Sequence, residues 1–420
     1  MQAGTRDPAS VFARRNNRGM NGAHAHDQDQ TTTGPVSGPV SGSVVFAGGG
    51  TGGHIFPALA IAESIAADPN THAVRRIMIG SDKELDRTLL DEAVARGDLD
   101  AASEIPARPF GVRPKAAWRL ASTWGACVRE TRMLLRDERE RTGRSPVLVA
   151  MGGYVSAAPV KAALAEKCPV VLVNLDAVPG KANRWIAARA DARFCVGRSS
   201  DLFEPFESGP ISPIVRAEVL VRTDAKEARR TLELDPGRPT LLVTGGSQGA
   251  RTINTFLVAF AHAHADELRD AGWQVLHQSG RDDGRAVAEH YASLGIPAIV
   301  APRIGAMGLA WDAADVSVCR AGAGTVAEAW ATGTPSLFLP YPFHKDAHQR
   351  ANAAILTDRG AGVLGEDRID TDENLVHNAE SLRELLTSHA RREAIRDMLA
   401  LLGPADGANT VAQSVTAMLG

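Results

Sequence analysis

A histidine directly follows a glycine-rich loop near the start of the chain. In "VVFAGGGTGGHIFPALA", from Val44 to Ala60, a strand-like apolar run precedes the loop and a helical pattern follows His54. Glycine permits turns at positive φ and the close approach of a ligand, while a helix start offers unpaired N–H groups and the positive end of its dipole. The pattern therefore predicts a site for an anion, most often a phosphate.

His54 would lie in the first turn of that helix. The helix dipole disfavours a positive charge there, so we expect the pKa of the imidazole to be lowered. A neutral imidazole in an anion-binding cleft is suited to act as a general base. A histidine that only caps the helix or packs against its neighbours explains the same spacing, so the residue types leave both interpretations open.

The same loop matches the dinucleotide-binding pattern GxGxxG at Gly48, Gly50 and Gly53. That pattern alone is weak evidence for NAD, although Asp82 supplies an acidic residue after the next predicted strand. A tight turn between strand and helix, with no ligand, is the simplest alternative.

The same order of strand, glycine loop and helix occurs in "CRAGAGTVAEAWATGTPSLFLPYP", from Cys319 to Pro342. Glu328 follows Thr325 by three residues, which favours a capping box at the start of the helix. The Glu328 carboxylate could instead accept hydrogen bonds from two sugar hydroxyls. The next motif, "HKDAHQRANA" from His344 to Ala353, opens another helix beyond the end of a strand, which points to the same cleft.

These motifs belong to a regular alternation of apolar runs and helical stretches. Continuously apolar strands that alternate with helices indicate parallel sheets covered on both faces. The pattern restarts at "LLVTGGSQGAR", about 200 residues after the first glycine loop. We therefore predict an α/β fold of two doubly wound Rossmann-like domains, with the glycine loops opening toward the cleft between them.

The expected domain boundaries follow from the same alternation and from the irregular segment between the two halves. The organisation that we predict is a disordered N-terminal tail (1–42), a first domain (43–215), a second domain (216–400) and a C-terminal helix that packs back on the first domain (401–420).

The composition excludes several functional classes. Hydrophobic residues make up 44% of the 420 residues, and no stretch approaches the roughly 20 apolar residues of a membrane-spanning helix. The net charge of -3 argues against nucleic-acid binding. The four cysteines form no CxxC pair, so we expect neither a zinc site nor disulfides, and a reducing cytoplasm fits best.

Five motifs, in the same order along the chain, resemble the MurG family of glycosyltransferases: "GGGTGGHIFPALA", "MGGYVSAAP", "TGGSQGAR", "AGAGTVAEAWATGTPSLFLPYP" and "HKDAHQRANA". The resemblance implies the GT-B architecture of two Rossmann-like domains. It also implies inverting transfer of N-acetylglucosamine from UDP-N-acetylglucosamine to the 4-hydroxyl of a muramoyl-pentapeptide carried on undecaprenyl diphosphate. Such an enzyme makes peptidoglycan precursors without an obligatory metal and without an organic cofactor.

The resemblance assigns roles to individual residues. His54 becomes the candidate base for the acceptor hydroxyl, and Arg216 is expected to close on the donor from the domain junction. The acceptor would contact the second glycine loop at Gly152, Gly153, Tyr154 and Ser156. The full set of donor-binding candidates is Thr51, Gly52, Gly53, Asp176, Arg216, Ser247, Ile304, Ala323, Gly324, Thr325, Val326, Ala327, Glu328 and Gln349.

Two segments depart from the family pattern. The chain has Val173-Asn174-Leu175-Asp176 where the family usually has HEQN, and Ser212-Pro213-Ile214-Val215-Arg216 where it usually has GNPVR. The first change lies on the acceptor side. Two alternatives therefore stay open: a related UDP-sugar glycosyltransferase with a different lipid acceptor, and a nucleotide-sugar-binding relative with impaired catalysis.

A basic segment with interleaved aromatic residues follows the first domain's acidic region. It is suited to meet the anionic headgroups of a membrane, although a solvated helix face is an equal alternative. The expected location is peripheral, on the cytoplasmic face of the bacterial inner membrane. The residues concerned are Arg108, Phe110, Arg113, Lys115, Trp118, Arg119 and Trp124.

Overall fold

The computed structural model describes residues 40–109, 114–196, 211–246, 249–343 and 347–419, with only the backbone described for 114–120. Most of the predicted tail lies outside these residues, and the first strand begins at Gly42. Phe110, Arg113 and Ser247 also lie outside them, as do the side chains of Lys115, Trp118 and Arg119.

The first lobe is a six-stranded parallel sheet with the order β3-β2-β1-β4-β5-β6. This is the strand order of the Rossmann fold. Its strands are β1 (Gly42–Ala47), β2 (Val74–Ser81), β3 (Ala101–Ile105), β4 (Val147–Ala150), β5 (Val170–Asn174) and β6 (Ala192–Cys195). Its helices are α1 (Gly52–Ala67), α2 (Glu84–Arg96), α3 (Pro114–Thr142), α4 (Ala157–Ala165) and α5 (Lys181–Ala187).

The second lobe repeats the architecture, with the strand order β12-β11-β10-β7-β8-β9. Its strands are β7 (Thr240–Thr244), β8 (Gln274–Gln278), β9 (Ala298–Ala301), β10 (Val316–Cys319), β11 (Ser336–Phe338) and β12 (Val363–Leu364). The helices of the chain's second half are α6 (Ala217–Leu220), α7 (Ala225–Thr231), α8 (Arg251–Ala263), α9 (Ala265–Asp270), α10 (Gly284–Ser293), α11 (Met307–Ala313), α12 (Ala323–Thr332), α13 (His348–Thr357), α14 (Thr371–Thr387), α15 (His389–Leu401) and α16 (Gly407–Ala417).

Both faces of the first sheet are covered, which explains why its strands are continuously apolar. Successive side chains of a strand point to opposite faces. In β1, Val44 and Phe46 pack with α1 and α16, whereas Val45 and Ala47 pack with α3 and α4. The α/β fold of two doubly wound lobes is therefore confirmed.

Among the described residues, no helix is both long enough and apolar enough to cross a bilayer.

The chain crosses between the lobes twice, and the two crossings lie side by side. The last helix, α16, returns to the first lobe, where Val411 and Val415 join its core. At the start of α16, the Gly407 amide donates to the Pro213 carbonyl over 3.2 Å. A side chain at Gly407 would collide with the Ser212 carbonyl, so glycine allows the crossings to touch.

Strand order reverses between β1 and β4 in the first lobe and between β7 and β10 in the second. Ligands of doubly wound sheets bind at such switch points, beyond the carboxyl ends of the strands. All of the glycine loops that the sequence singled out follow these four strands, so the fold places them where a ligand would be expected.

Candidate active site

Two glycine loops of the first lobe interlock at its switch point. Gly50 adopts φ +85°, and a Cβ there would lie 2.9 Å from the Tyr154 ring. Gly153 adopts φ +73°, and a Cβ there would lie 2.9 Å from the His54 ring. Each loop therefore supplies the space that a side chain of the other loop fills, and both the backbone angle and the contact require glycine.

His54 is the third residue of α1, so it lies in the first turn as predicted. Its pKa is lowered from the ordinary value mainly because the ring is buried, while Asp176, the Gly49 carbonyl and Asp86 act in the opposite direction. The direction agrees with the sequence prediction, but burial rather than the helix dipole is the principal cause.

The hydrogen bond to His54 fixes which ring nitrogen is free. Nδ1 lies 3.2 Å from the carbonyl oxygen of Gly49. A carbonyl can only accept a hydrogen bond, so Nδ1 carries the proton in the neutral ring and Nε2 keeps its lone pair. No hydrogen-bond partner from the described part of the chain occupies Nε2, which is the state that a general base requires.

Ser156 does not face the cleft as an acceptor-binding residue would. Its side chain is fully buried, and its hydroxyl lies 2.6 Å from both the Ala47 and the Gly152 carbonyl oxygens. The hydroxyl therefore ties the second glycine loop to the end of β1. The other three acceptor candidates, Gly152, Gly153 and Tyr154, lie in the loop that meets His54 and Gly50.

The capping box expected at Thr325 and Glu328 is wrong. Helix α12 begins two residues before Thr325 and is preceded by Gly322, without a side-chain cap. Thr325 and Glu328 are therefore inside the helix. Since no side chain caps them, the first N–H groups of α12 are left for another partner.

Glu328 lies in an apolar setting with one oxygen held. Its Oε2 accepts a hydrogen bond of 2.9 Å from the buried indole of Trp311. Burial, reinforced by the nearby Glu218 and opposed by the Trp311 hydrogen bond, raises the pKa of Glu328 to about 7. Within the described residues no donor reaches Oε1.

The other donor candidates on α12 differ in how deeply they are buried. Ala323 and Gly324, at the start of α12, are partly exposed, whereas Val326 and Ala327 are buried. Ala327 packs against Val215 and Val219, which belong to the crossing between the lobes. The structure therefore turns Ala327 toward the hinge, whereas Ala323, Gly324, Thr325 and Glu328 are partly exposed.

Ile304 and Gln349 are both engaged within the second lobe. Ile304 is buried, and its amide donates to Gln278 Oε1 over 2.9 Å. Gln349, the second residue of α13, accepts a hydrogen bond of 2.8 Å from the Tyr341 amide. The side-chain oxygen of Gln349 therefore fixes the end of the loop that precedes α13.

Asn352, which sequence reasoning missed, joins the two lobes. Its Oδ1 accepts from the Ala177 amide at 2.7 Å, and its Nδ2 donates to Asp176 Oδ1 at 3.0 Å and to the Ala321 carbonyl at 3.2 Å. This buried amide follows Gln349 by three positions on α13, and that helical spacing was the only sequence signal for it. Asp176 is consequently held at the boundary of the lobes, beside His54.

Arg216 is not aimed at a donor site in this structure. Its guanidinium donates to Glu63 Oε1 at 2.5 Å and to Asp98 Oδ2 at 3.1 Å, and the Ala217 amide donates to Glu63 at 2.9 Å. Burial acts against the charge, but the Glu63 carboxylate raises the pKa of Arg216. The arginine thus forms an ion-paired link from the first crossing segment to α1, because two carboxylates compensate its partial burial.

The lobes are closed where Leu175 and Pro213 face Ala323 and Val326. The space enclosed there is about 10 Å³. Small-molecule sites usually hold roughly 300–1,000 Å³. A nucleotide sugar therefore cannot occupy this contact unless the lobes move apart.

The acidic residue that would have supported NAD binding is already paired. Arg108 donates to both carboxylate oxygens of Asp82, at 2.7 and 2.8 Å. A bidentate pair of this kind leaves Asp82 without a ready oxygen for a ribose.

A groove of about 430 Å³ lies on the outer surface between α3 and α4. Among its lining residues, Met133 is 58% exposed, and Arg132 and Arg136 are both held by Glu166, at 2.6 and 2.9 Å. The lining consists of Trp124, Gly125, Val128, Arg129, Arg132, Met133, Arg136 and Lys161. Of the two residues of the basic segment whose side chains are described, Arg108 and Trp124, only Trp124 lines this groove.

Two family models match the chain. The Glycosyltransferase family 28 N-terminal domain matches residues 44–195, and the Glycosyltransferase family 28 C-terminal domain matches residues 240–410.

Relatives named UDP-N-acetylglucosamine–N-acetylmuramyl-(pentapeptide) pyrophosphoryl-undecaprenol N-acetylglucosamine transferase align along most of the chain. The one from Nocardioides sp. is 36% identical over 349 residues, which cover 81% of this chain and 90% of the relative. The one from Corynebacterium jeikeium is 35% identical over 383 residues, which cover 89% and 96%. The crystal structure of Acinetobacter baumannii MurG superposes with a TM-score of 0.64 at 22% identity, over 90% of this chain and all of that one, which supports the two-lobed fold.

The Arg216 link predicts a cost in stability. Replacing Arg216 by Met leaves the Glu63 carboxylate without its guanidinium, so we expect the free energy of unfolding to fall by about 1–3 kcal/mol. Urea unfolding monitored by tryptophan fluorescence measures this change. The matched control is Arg285→Met, because the Arg285 side chain is 92% exposed and its pair with Glu289 should contribute at most about 0.5 kcal/mol. Equal stability of the two variants would contradict the interpretation.

Proposed function

This chain belongs to glycosyltransferase family 28, and from that membership we infer that it transfers N-acetylglucosamine from UDP-N-acetylglucosamine to the muramoyl-pentapeptide carried on undecaprenyl diphosphate. It is an N-acetylglucosaminyltransferase of peptidoglycan synthesis with GT-B architecture, and its reaction converts lipid I into lipid II. Relatives of this name align over most of its length. The observation that carries the mechanism is the neutral His54, with Nε2 unoccupied between two glycine loops.

His54 acts as the base for the acceptor. Nε2 takes the proton of the 4-hydroxyl as that oxygen attacks the anomeric carbon of the donor sugar, and the bond from that carbon to the UDP oxygen breaks. Attack from the face opposite the leaving group inverts the configuration. A base within hydrogen-bond reach contributes about 10²–10⁴-fold to such a reaction.

The start of α12 receives the negative charge of the departing diphosphate. Gly322 places no side chain over the first N–H groups of this ten-residue helix, and the dipole adds favourable potential there. Ala323, Gly324 and Thr325 form this first turn. Arg216, which was expected to close on the donor, is instead committed to Glu63 and Asp98.

The second lobe, 216–400, binds the donor. Glu328 receives ribose hydroxyls at Oε1 while Trp311 holds Oε2. Ile304 and the backbone of Val326 and Ala327 border the nucleotide, and Gln349 lies near the sugar. The first lobe, 43–215, binds the acceptor through Gly152, Gly153 and Tyr154, with Thr51, Gly52, Gly53 and Asp176 at the boundary.

A donor that reaches the contact beside Ala323 has to part the lobes there. In the closed structure Asn352 bridges Asp176 and Ala177 to its own lobe, and only about 10 Å³ remains at the contact beside Ala323. The bridge consists of hydrogen bonds from one side chain, which water can replace when the lobes part. Movement about the two adjacent crossings then opens the site and reassembles it around the substrates.

The groove between α3 and α4 contacts the anionic surface of the cytoplasmic membrane. It combines an exposed apolar residue, Met133, and the aromatic Trp124 with the cations of Arg129 and Lys161. Apolar side chains enter the headgroup region while cations meet lipid phosphates. Such a contact keeps the protein peripheral, close to its lipid-borne acceptor.

Replacing His54 by Ala tests the base. We expect kcat to fall by about 10²–10⁴-fold, because the substitution removes the proposed proton acceptor, while the affinity for UDP-N-acetylglucosamine changes little. Transfer of labelled sugar to a short-chain lipid acceptor measures turnover, and calorimetry measures donor binding. His72→Ala is the matched control, since His72 is exposed and its ring, among the described residues, bonds only to the Pro69 carbonyl. A His54→Ala enzyme with more than half of the normal turnover would exclude this role.

Two extensions of the sugar-transfer assay test the two alternative functions, a different lipid acceptor and impaired catalysis. Other polyprenyl-linked sugars offered as acceptors test whether the changed segment at Val173–Asp176 selects a different lipid. Donor binding without turnover on any acceptor would identify a binding relative with impaired catalysis.

The raised pKa of Glu328 predicts a pH dependence of donor binding. A carboxyl that accepts two ribose hydroxyls must be ionised, so donor affinity should increase as the pH rises through about 7. Glu328→Gln should bind the donor more weakly and lose this dependence. Calorimetry between pH 5.5 and 8.5 gives both results, and a pH dependence that survives the substitution would assign it to another group.

Charge reversal tests the membrane surface. The Arg129→Glu, Lys161→Glu double variant should lose most of its co-flotation with vesicles containing anionic phosphatidylglycerol, since each basic residue near such a surface contributes about 1 kcal/mol. Arg285→Glu, on an exposed site of the other lobe, is the matched control. Equal flotation of the double variant and the control would place the membrane contact elsewhere.

A further inference from the structure

A buried carboxylate supports the glycine loop that precedes His54. Asp86, on α2, is fully buried. Its Oδ2 accepts hydrogen bonds from the Gly50 amide at 2.7 Å, the Ser81 amide at 3.0 Å and the Ser81 hydroxyl at 2.5 Å. Its Oδ1 is also buried, with no hydrogen-bond partner among the described residues. The proposed reaction does not yet use this carboxylate.

One peptide group connects Asp86 to His54. The Gly50 amide, which donates to Asp86, and the Gly49 carbonyl, which accepts from His54 Nδ1 at 3.2 Å, belong to the same peptide unit. In a trans peptide the N–H and C=O bonds point in opposite directions. Asp86, the Gly49–Gly50 peptide and His54 therefore form one hydrogen-bonded row, from carboxylate to imidazole.

The row depends on the absence of a side chain at Gly49. A Cβ at this position would collide with Asp86 Oδ2, so any other residue would push the carboxylate away from the peptide. Glycine at 49 thus serves the contact with Asp86, in addition to any approach of a ligand to the loop.

We propose that Asp86 is a positioning residue for His54, and that it acts through the Gly49–Gly50 peptide rather than by direct contact. The proposal rests on the proposed role of His54 as the base. Asp86 polarises the peptide, so the Gly49 carbonyl becomes a stronger acceptor for Nδ1–H. This holds the tautomer with Nε2 free and stabilises the imidazolium that forms when Nε2 takes the acceptor's proton. Neither Asp86 nor the peptide gains or loses a proton, and the imidazolium later releases its proton to solvent.

The other charged and titratable groups around His54 make different contacts from those of Asp86. Asp176 approaches from the loop after β5 and shares a hydrogen bond with Asn352 of the other lobe. Lys83 donates to the Gly50 carbonyl at 3.2 Å and lies over the Tyr154 ring, 5.7 Å from its centroid. Lobe opening removes the Asn352 bond of Asp176. The three donors of Asp86 all come from the first lobe, so its effect on His54 is the same in open and closed states.

The experiment compares Asp86→Asn with wild type in the full-length protein, using UDP-N-acetylglucosamine and the short-chain acceptor from pH 5 to 9. Asparagine keeps an oxygen for the Gly50 amide but removes the charge. We expect kcat at the plateau to fall about 10–100-fold, by analogy with the hydrogen-bond partners of metal-binding histidines, while KM for the donor stays within about twofold. Loss of a nearby negative charge also lowers the pKa of His54, so the acidic limb of the kcat profile should move to lower pH.

A purely structural role gives a different result. A loosened loop would admit water to His54, relieve the burial that lowers its pKa, and move the acidic limb to higher pH. Three results would each overturn the proposal: a shift of the acidic limb of the kcat profile to higher pH, an acidic limb at the wild-type pH, or a kcat within twofold of wild type. The matched control is Asp91→Asn, which removes an exposed carboxylate from the same helix and should leave both kcat and the limb unchanged.

A second measurement does not depend on turnover. Titration of the His54 ring by NMR should give a lower pKa in Asp86→Asn than in wild type, and an equal or higher pKa would contradict the proposal. The His54→Ala variant separates the two levels of inference. If His54→Ala is inactive and Asp86→Asn is normal, only the role of Asp86 fails; if His54→Ala remains active, the proposed base itself fails.

Discussion

The structure of the site depends on close packing between two loops that lack side chains at the points of contact. Gly50 admits the Tyr154 ring and Gly153 admits the His54 ring, so each loop is held by a side chain of the other. The contact lies at the switch point of the first sheet, where buried strands β1 and β4 deliver both loops to one place. The imidazole owes its burial, and hence its neutral state, to this packing.

The second lobe contributes a helix start and a carboxylate on the side that faces this arrangement. Helix α12 faces the first lobe with an uncapped start, and Glu328 stands farther along the same helix, held by Trp311. In the proposed reaction the first lobe supplies the base, and the second lobe supplies the helix start for the diphosphate and the carboxylate for the ribose hydroxyls. The proposal therefore needs both lobes, because these groups are divided between them.

The parts of this architecture that follow from local patterns were predictable from the sequence. Residues that are neighbours in the sequence define the apolar runs, the glycine loops and the first-turn position of His54. The misassigned capping box shows the limit, because Thr325 and Glu328 have the right spacing but α12 begins two residues earlier. The roles of Asp86 and Asn352 escaped notice because the contacts with Gly50 and Ala177 join positions 36 and 175 apart, and no short window contains both ends of either contact. Arg216 was noticed, but the carboxylates that capture it lie far away in the first lobe.

The return of α16 to the first lobe has a mechanical consequence. With the chain passing between the lobes at Pro213 and again at Gly407, and with these passages in contact, the two bodies are joined by a pair of adjacent tethers. A single tether would allow swivelling about any direction, whereas two that touch resist torsion and shear. For the proposed opening of the lobes, a pair of adjacent tethers favours a hinge-like swing over a free rotation.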